Sequence, residues 1–155
     1  ARALGSDEII YSGEHDTGLL ESVKSAAKRW GGKFSVRYEP NWKKALGAYK
    51  KRKYCICHLS MYGMPLRKKI SRIRKAKKIL VIVGSEKVPG EVYHLADYNI
   101  SVTNQPHSEI AALAIFLHEL QKGKELDRKF SRAKIKIVPQ ERGKRVVELK
   151  SRRLI

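Results

Sequence analysis

Short apolar runs alternate with helical periods along the first 123 residues of the chain. Five of these runs predict β-strands, at residues 8–11, 33–38, 54–59, 79–83 and 99–102. Apolar residues spaced three or four positions apart predict helices between the strands and after the last one. A strand–helix order that repeats five times is typical of an α/β fold with a parallel sheet. Because the run 79–83 is apolar throughout, we expect it to be the central strand, covered on both faces.

Residues whose side chains can cap a helix mark where the predicted helices start. Asp16 or Thr17 can cap the first helix, and Ser108 can cap the last one. Between them, a very basic helix is predicted from Leu66 to Lys78.

The last part of the chain has a different pattern. Two β-like runs, at residues 133–138 and 145–149, flank a Glu-Arg-Gly turn at 141–143, and this arrangement predicts a β-hairpin. We therefore expect a main domain over residues 1–123 and a basic C-terminal β-hairpin extension over residues 124–155.

Charge is unevenly distributed along the chain. Its 155 residues carry a formal net charge of +19, from 34 Lys and Arg against 15 Asp and Glu. Residues 1–39 are neutral overall, and residues 40–85 contain 14 basic and no acidic residues. Residues 86–121 sum to −4 and residues 122–155 to +9. Two basic blocks around an acidic one favour a polyanionic partner, for which nucleic acid is the leading candidate. A basic surface without such a partner is the alternative.

The composition argues against several other classes of protein. With 42% hydrophobic residues the chain is expected to fold, and it contains no run of about 18 apolar residues that would predict a membrane span. Cys55 and Cys57 are too few for a disulfide framework or a four-cysteine zinc site, which favours a reducing, cytoplasmic setting. The chain begins at Ala1 with neither Met nor a signal-peptide pattern, so we expect that it starts partway into a longer protein.

Three polar loops follow predicted strands, at residues 59–63, 84–89 and 102–109. In open parallel sheets, ligands bind outside the carboxyl ends of the strands. We therefore expect these three loops to line a ligand site.

Common nucleotide and metal motifs are missing from the sequence. It contains neither a P-loop nor a G-x-G-x-x-G motif after a strand, and its histidines do not share a metal-ligand spacing, so we predict no metal site. We expect His118 and Glu119 to form a solvated pair on the outer side of their helix. Cys55 and Cys57 are expected to pack as small buried side chains.

The three loops carry specific motifs. The sequence reads Leu-Ser-Met-Tyr-Gly at 59–63, Val-Gly-Ser-Glu-Lys-Val-Pro at 83–89 and Asn-Gln-Pro-His-Ser-Glu at 104–109. Together with Arg-Trp-Gly-Gly at 29–32 and Ala-Lys-Ile-Lys-Ile-Val-Pro at 133–139, they closely resemble the archaeal tRNA (cytidine-56) 2′-O-methyltransferases of the SPOUT superfamily. The resemblance extends over nearly the whole chain.

This resemblance implies an α/β fold of the SPOUT type, with a parallel sheet and a C-terminal trefoil knot, in a homodimer. It also implies S-adenosylmethionine as methyl donor and tRNA as substrate, with methylation of the ribose 2′-oxygen of cytidine 56 in the TΨC loop. By similarity, the cofactor pocket is lined by Leu59, Gly84, Ser85, Glu86, Lys87, Val88, Val102, Thr103, Asn104, Gln105, Pro106, His107, Ser108 and Glu109.

The resemblance identifies only some of the family's catalytic residues in this sequence. The family's catalytic arginine belongs to a segment that would precede Ala1, so only Glu86 is a candidate catalytic residue in this sequence. Glu86 could orient the substrate or accept hydrogen bonds from loop amides. Lys87 could position an RNA phosphate or pair with a carboxylate. The basic residues expected to bind tRNA phosphates are Arg67, Lys68, Lys69, Arg72, Arg142 and Lys144.

Two alternative functions stay open. A SPOUT methyltransferase with a different RNA target would keep the cofactor and change only the substrate. A non-catalytic basic RNA-binding protein would have no need of three ligand loops at the strand ends.

Overall fold

The computed structural model describes residues 1–84 and 88–149. Strands and helices alternate in it from β1 to α5, which confirms the predicted order. The elements are β1 (Glu8–Tyr11), α1 (Thr17–Trp30), β2 (Ser35–Tyr38), α2 (Trp42–Lys51), β3 (Cys55–Pro65), α3 (Leu66–Ile73), β4 (Ile79–Val83), α4 (Gly90–Leu95), β5 (Tyr98–Ser101), α5 (Glu109–Gln121), a 3-10 turn (Lys124–Asp127), β6 (Ile135–Val138) and β7 (Arg145–Glu148).

The chain forms two compact units. The first contains Ala1 and residues 41–126, and the second contains residues 2–40 and the described part of 127–155. Within the described residues, every helix is too short or too polar to cross a membrane.

A three-stranded parallel sheet with the order β4-β3-β5 lies in the first unit. The expectation that the run 79–83 is the central strand is wrong. In the described part of the chain, β4 pairs with β3 alone and is only half-buried. The middle strand is β3, in which Ile56, Cys57 and His58 are completely buried. Hydropathy favours β4 because β3 contains a histidine, whose polar ring is buried with a hydrogen-bond partner on β5.

Four residues bulge out of β3 where the sequence predicts a loop after the strand. Leu59 and Met64 both lie opposite Ile100 of β5, so residues 60–63 form an excursion between two registers. Gly63 allows the close approach, since a Cβ there would lie 2.5 Å from the backbone nitrogen of Ile100. The strand therefore continues to Pro65 and leads directly into α3.

The basic helix is shorter than predicted. α3 ends at Ile73 instead of Lys78, because the chain must turn back there to start β4. The carbonyl of Lys78 already belongs to the sheet, since it accepts a hydrogen bond from the backbone nitrogen of Cys55 at 2.9 Å. The buried side of α3 carries Leu66, Ile70 and Ile73.

The second unit contains a parallel pair, β1 and β2, and an antiparallel pair, β6 and β7. Asp16 caps α1, since its Oδ1 accepts a hydrogen bond from the Leu19 nitrogen at 2.9 Å. Gly31 follows the helix with φ of 75°, and a Cβ there would overlap the carbonyl oxygen of Ser131. A glycine at this position thus permits both the turn and the close packing of the C-terminal segment.

Candidate active site

A cleft of about 230 Å³ opens in the first unit, where β4 ends and β3 bulges. This position, at the carboxyl ends of parallel strands, is the usual place for a ligand in such a sheet. Its walls contain apolar side chains together with hydroxyl, imidazole and carboxylate groups. Its lining residues are His58, Leu59, Ser60, Met61, Tyr62, Val83, Gly84, Val88, Tyr93, His107, Glu109 and Ala112.

Hydrogen-bonded polar side chains support the base of the cleft. His58 Nδ1 lies 2.9 Å from Asn99 Oδ1, and Asn99 Nδ2 donates to the carbonyl of Tyr93 at 2.8 Å. The second bond fixes the amide orientation, so Nδ1 of His58 carries the proton in the first. The Tyr93 ring stands edge-on to the imidazole, with centroids 4.6 Å apart, and its hydroxyl lies 2.9 Å from Ser60 Oγ. These contacts join β3, β5 and α4 into one support.

The loop after β5 is tied to the excursion in β3. Asn104 Nδ2 donates to the carbonyl oxygen of Met61 at 2.6 Å and to that of Gly63 at 3.3 Å. His107 Nδ1 lies 2.6 Å from the carbonyl oxygen of Gln105. The Asn104 amide thus partners carbonyl groups of the excursion and holds two walls of the cleft together.

The wall beyond β4 depends on the absence of a side chain at Gly84. A Cβ added there would overlap Cγ2 of Val88. Both residues line the cleft, and they flank residues 85–87, which are outside the described part of the chain. Any residue larger than glycine at position 84 must therefore displace Val88.

A carboxylate from α5 gives the cleft negative charge. Ser108 caps α5 as predicted, since its Oγ accepts a hydrogen bond from the Ala111 nitrogen at 3.1 Å. Glu109 follows in the first turn and lines the cleft. The helix dipole favours a carboxylate at this end of a helix. A positively charged group bound in the cleft would be attracted by Glu109.

The two cysteines of β3 do not supply a nucleophile. Both are free thiols; Cys57 is completely buried, as predicted, and Cys55 is half-buried. Burial raises the pKa of the Cys57 thiol strongly, and the neighbouring Cys55 raises it further. Burial also raises the pKa of the Cys55 thiol. Because both thiols stay protonated at neutral pH, neither is activated for attack. Across residues 1–84 and 88–149, no group of three or more His, Cys, Asp or Glu is placed to hold a metal.

The residues predicted for the cofactor pocket fall into three groups. Five of them line the cleft: Leu59, Gly84, Val88, His107 and Glu109. Three are outside the described residues: Ser85, Glu86 and Lys87. Six are in the loop beside the cleft but are not among the described residues that line it: Val102, Thr103, Asn104, Gln105, Pro106 and Ser108.

Four residues that line the cleft lie outside the three loops predicted to form it: His58, Val83, Tyr93 and Ala112. Of these, only His58 could have been noticed in the sequence, because a histidine inside an apolar strand requires a buried hydrogen-bond partner. That partner, Asn99, lies 41 positions away along the chain.

The predicted RNA-binding residues are in both units. Four are on α3 in the first unit; three of these are exposed and Lys69 is half-buried. Arg142 and Lys144 are exposed between β6 and β7 in the second unit.

His118 and Glu119 are both partly exposed, and each binds a residue outside α5. His118 Nδ1 lies 2.6 Å from Oε1 of Glu125, whose side chain is completely buried in the turn after α5. Arg74, which directly follows α3, binds Glu119, and its Nε donates to the Glu119 carbonyl at 3.0 Å. Helical periodicity could not reveal these contacts, because they come from a turn beyond the helix and from the end of a neighbouring helix.

Solved structures show that the fold is shared with SpoU-type proteins. The SpoU methyltransferase AviRb from Streptomyces viridochromogenes, solved in complex with AdoMet, matches with a TM-score of 0.59 and 17% identity, over 79% of this chain and 49% of that one. The A. aeolicus TrmH/SpoU tRNA modifying enzyme matches with a TM-score of 0.56 and 17% identity, over 81% of this chain and 65% of that one. At this level of identity the match concerns the fold alone.

Curated relatives are much more similar in sequence. A tRNA (cytidine(56)-2′-O)-methyltransferase from Methanocaldococcus jannaschii is 53% identical over 153 residues, which cover 97% of this chain and 84% of the relative. A protein of the same name from Thermococcus kodakarensis is 51% identical, over 96% of this chain and 84% of the relative. The family model described as "tRNA ribose 2′-O-methyltransferase, aTrm56" matches residues 30–147. With most of its length matched in this way, the chain belongs to the aTrm56 family of tRNA ribose 2′-O-methyltransferases.

Proposed function

We propose that this chain transfers a methyl group from S-adenosylmethionine to the ribose 2′-oxygen of cytidine 56 in tRNA. Relatives of that name, matched over 96–97% of the chain, support the reaction and its target. The observation that carries the proposal is the cleft, which combines apolar walls, hydroxyl groups and a carboxylate at the carboxyl ends of the strands. The free thiols of Cys55 and Cys57 favour the reducing cytoplasm as its location.

The residues that line the cleft suit this cofactor. Bound S-adenosylmethionine supplies an electrophilic methyl group on a positively charged sulfur. Glu109 offers a carboxylate to that charge, while Leu59 and Val88 provide apolar surface. An apolar wall favours a reaction in which the charge on the sulfur disappears. The segments 84–88 and 102–109 would hold the cofactor together with Leu59.

The protein must also orient the ribose hydroxyl and assist the loss of its proton. Glu86 is our candidate for orienting the substrate, on the basis of its motif. An arginine beside the ribose would stabilise the developing negative charge.

We also propose a SPOUT-type trefoil knot, with residues 124–155 as a basic β-hairpin extension. The shared fold with the SpoU-type structures supports the knot. So do the bonds from Asn104 to Met61 and Gly63, which hold the segment after β5 against the excursion in β3.

Calorimetric titration with S-adenosylmethionine, followed by mapping of methylated ribose in tRNA transcripts, tests the proposed reaction. We expect the cofactor to bind this chain, and the full-length protein to methylate cytidine 56. A transcript with 2′-deoxycytidine at that position is the matched control and should not react there. Failure to bind the cofactor would favour the non-catalytic RNA-binding alternative. Methylation at another nucleotide would favour a different RNA target.

The cations of α3 are expected to bind tRNA phosphates. Replacing Arg67, Lys68, Lys69 and Arg72 together with alanine should weaken tRNA binding and flatten its salt dependence. Each lost phosphate contact lowers the slope of log K against log salt by about 1. Filter binding at several salt concentrations measures both effects. A Lys24→Ala, Lys28→Ala variant of the neutral segment is the control, and an α3 variant that binds like wild type would remove α3 from the interface.

We propose that a second copy of the chain covers α5. This helix is apolar on nearly all sides, and its Ile110 and Ile115 are 82% and 48% exposed. A helix with apolar residues all round is normally buried. Tyr62, in the same unit, is 76% exposed.

Replacing Ile110 and Ile115 with aspartate is therefore expected to convert a dimer into monomers, because two carboxylates would have to be buried unpaired. Sedimentation velocity gives the oligomeric state. A Leu126→Asp variant, changed at an exposed apolar residue outside the helix, should stay dimeric. A monomeric wild type at tens of micromolar protein would contradict the dimer.

A further inference from the structure

A second basic surface lies at the opposite end of the sheet from the cleft. It consists of six exposed cations, which we call the amino-edge patch: Lys51, Arg52, Lys53, Lys75, Lys77 and Lys78. Lys51 is the last residue of α2, and the other five belong to the turns that follow α2 and α3.

The register of the sheet brings these two turns together. β3 and β4 are parallel neighbours, and Cys55 at the start of β3 lies opposite Ile79 at the start of β4. The nitrogen of Cys55 donates to the carbonyl of Lys78 at 2.9 Å. The residues just before the two strands are thus side by side at the amino edge, whereas the cleft is at the carboxyl ends.

Two of these cations, Arg52 and Lys78, are held in place by tyrosine rings. The Arg52 guanidinium lies 5.1 Å from the ring centroid of Tyr49 and 5.3 Å from that of Tyr54. The Lys78 ammonium lies 5.7 Å from the Tyr54 ring. Tyr49 is buried and packs edge-on against Tyr54, with centroids 4.7 Å apart. Because these cations are already positioned on a rigid base, they lose less freedom when they bind an anion.

The patch contains more cations than are needed to stabilise the carboxyl ends of two helices. The negative end of a helix dipole stabilises a cation in the last turn by roughly 0.3–1 kcal/mol. Lys75, Lys77 and Lys78 follow the last residue of α3, and residues 40–85 contain no acidic residue. Asp97, just before β5, lies at the same edge, and its Oδ2 accepts a hydrogen bond from the Ile56 nitrogen at 2.7 Å. Lys53 adopts the left-handed φ of 62°, where glycine or asparagine is the usual residue.

α3 connects the two ends of the sheet. It begins directly after β3 and ends at the amino-edge patch, and its eight residues span about 12 Å. The exposed cations of α3 therefore continue into the patch as one basic track. Such a track matches the regularly spaced phosphates of a nucleic-acid backbone better than it matches a single anion.

We propose that the amino-edge patch binds the sugar-phosphate backbone of tRNA outside the TΨC arm. This inference rests on the proposed function, in which α3 binds tRNA as it leads away from the cleft. The patch then lengthens the contact along the RNA and distinguishes a whole tRNA from an isolated arm. It reads shape and charge rather than base sequence.

The test compares two variants of the whole chain that lose the same charge. The patch variant carries Lys51, Lys53, Lys75 and Lys77 replaced with alanine, and keeps Arg52 and Lys78 because they pack on tyrosine rings. The α3 variant carries Arg67, Lys68, Lys69 and Arg72 replaced with alanine. Binding of a whole tRNA transcript and of a TΨC-arm hairpin is measured over a range of salt, with melting curves to verify folding.

We expect the patch variant to bind whole tRNA about tenfold more weakly, with a salt slope smaller by about 2–4, and to bind the hairpin as wild type does. The α3 variant should weaken binding of both RNAs. The proposal is overturned if the patch variant binds whole tRNA normally, or weakens both RNAs equally. If the α3 variant also binds both RNAs normally, the proposed tRNA interface itself fails, so the two failures can be told apart.

Discussion

Replacing His118 with alanine is expected to lower the free energy of unfolding by about 3 kcal/mol. Its Nδ1 lies 2.6 Å from Oε1 of Glu125, a completely buried carboxylate. Oε2 of Glu125 has no hydrogen-bond partner among the residues that the structure describes. The substitution therefore leaves a buried carboxylate unpaired, which typically costs about 3–5 kcal/mol. We take the low end because the His118 side chain is half-exposed, so water can enter the space it leaves.

Urea unfolding at neutral pH measures this effect. Replacing both partners, with His118→Ala and Glu125→Leu, should restore most of the lost stability, since no buried charge then remains. The exposed ion pair between Lys43 and Glu91 provides a control, and Glu91→Ala should cost less than about 1 kcal/mol. A His118→Ala variant that loses no more than this control would contradict the buried pair.

Replacing Gly84 with alanine is expected to weaken binding of S-adenosylmethionine about tenfold to a hundredfold. The new methyl group would overlap Cγ2 of Val88, and both residues line the cleft. Forcing an extra methyl group into a packed site costs about 1–3 kcal/mol, which corresponds to this loss of affinity. Calorimetric titration measures the change directly.

A second substitution separates this contact from a general loss of structure. Val88→Ala removes the overlapping methyl group and should alone alter the affinity less than Gly84→Ala does. The double variant should regain much of the binding, which would give a clear coupling energy between the two sites. If it binds as weakly as Gly84→Ala alone, the overlap is not the cause. Melting curves establish that each variant is folded.

Local pattern predicted the alternation of strands and helices well, since each element carries its own period and caps. Asp16 and Ser108 cap their helices with bonds of 2.9 and 3.1 Å. Pairing between strands was harder to predict. The run 79–83 looked central because it is apolar, yet β3 takes the middle position with a buried histidine. Its partner, Asn99, becomes a neighbour only in the folded sheet.

The parts of the candidate site that lie in the three loops and their motifs could be predicted from the sequence. The carboxyl-end rule located the cleft, and five residues of the predicted pocket line it. The support beneath it, in which Tyr93 contacts His58 and Ser60, has no signature in a single sequence. The pairing of His118 with Glu125 was missed for a similar reason, because it depends on the turn after α5.

The excursion in β3 also affects how the site should open. The residues before it, from Cys57 to Leu59, pair with strands on both sides, and such amides exchange with solvent only when the whole unit unfolds. The segment 102–108 between β5 and α5 is a loop, and loops open locally at a much lower free energy. One side of the cleft therefore stays formed while the other opens. Ligand exchange then needs only loop motion, so the half-site on β3 persists in the free protein between catalytic cycles.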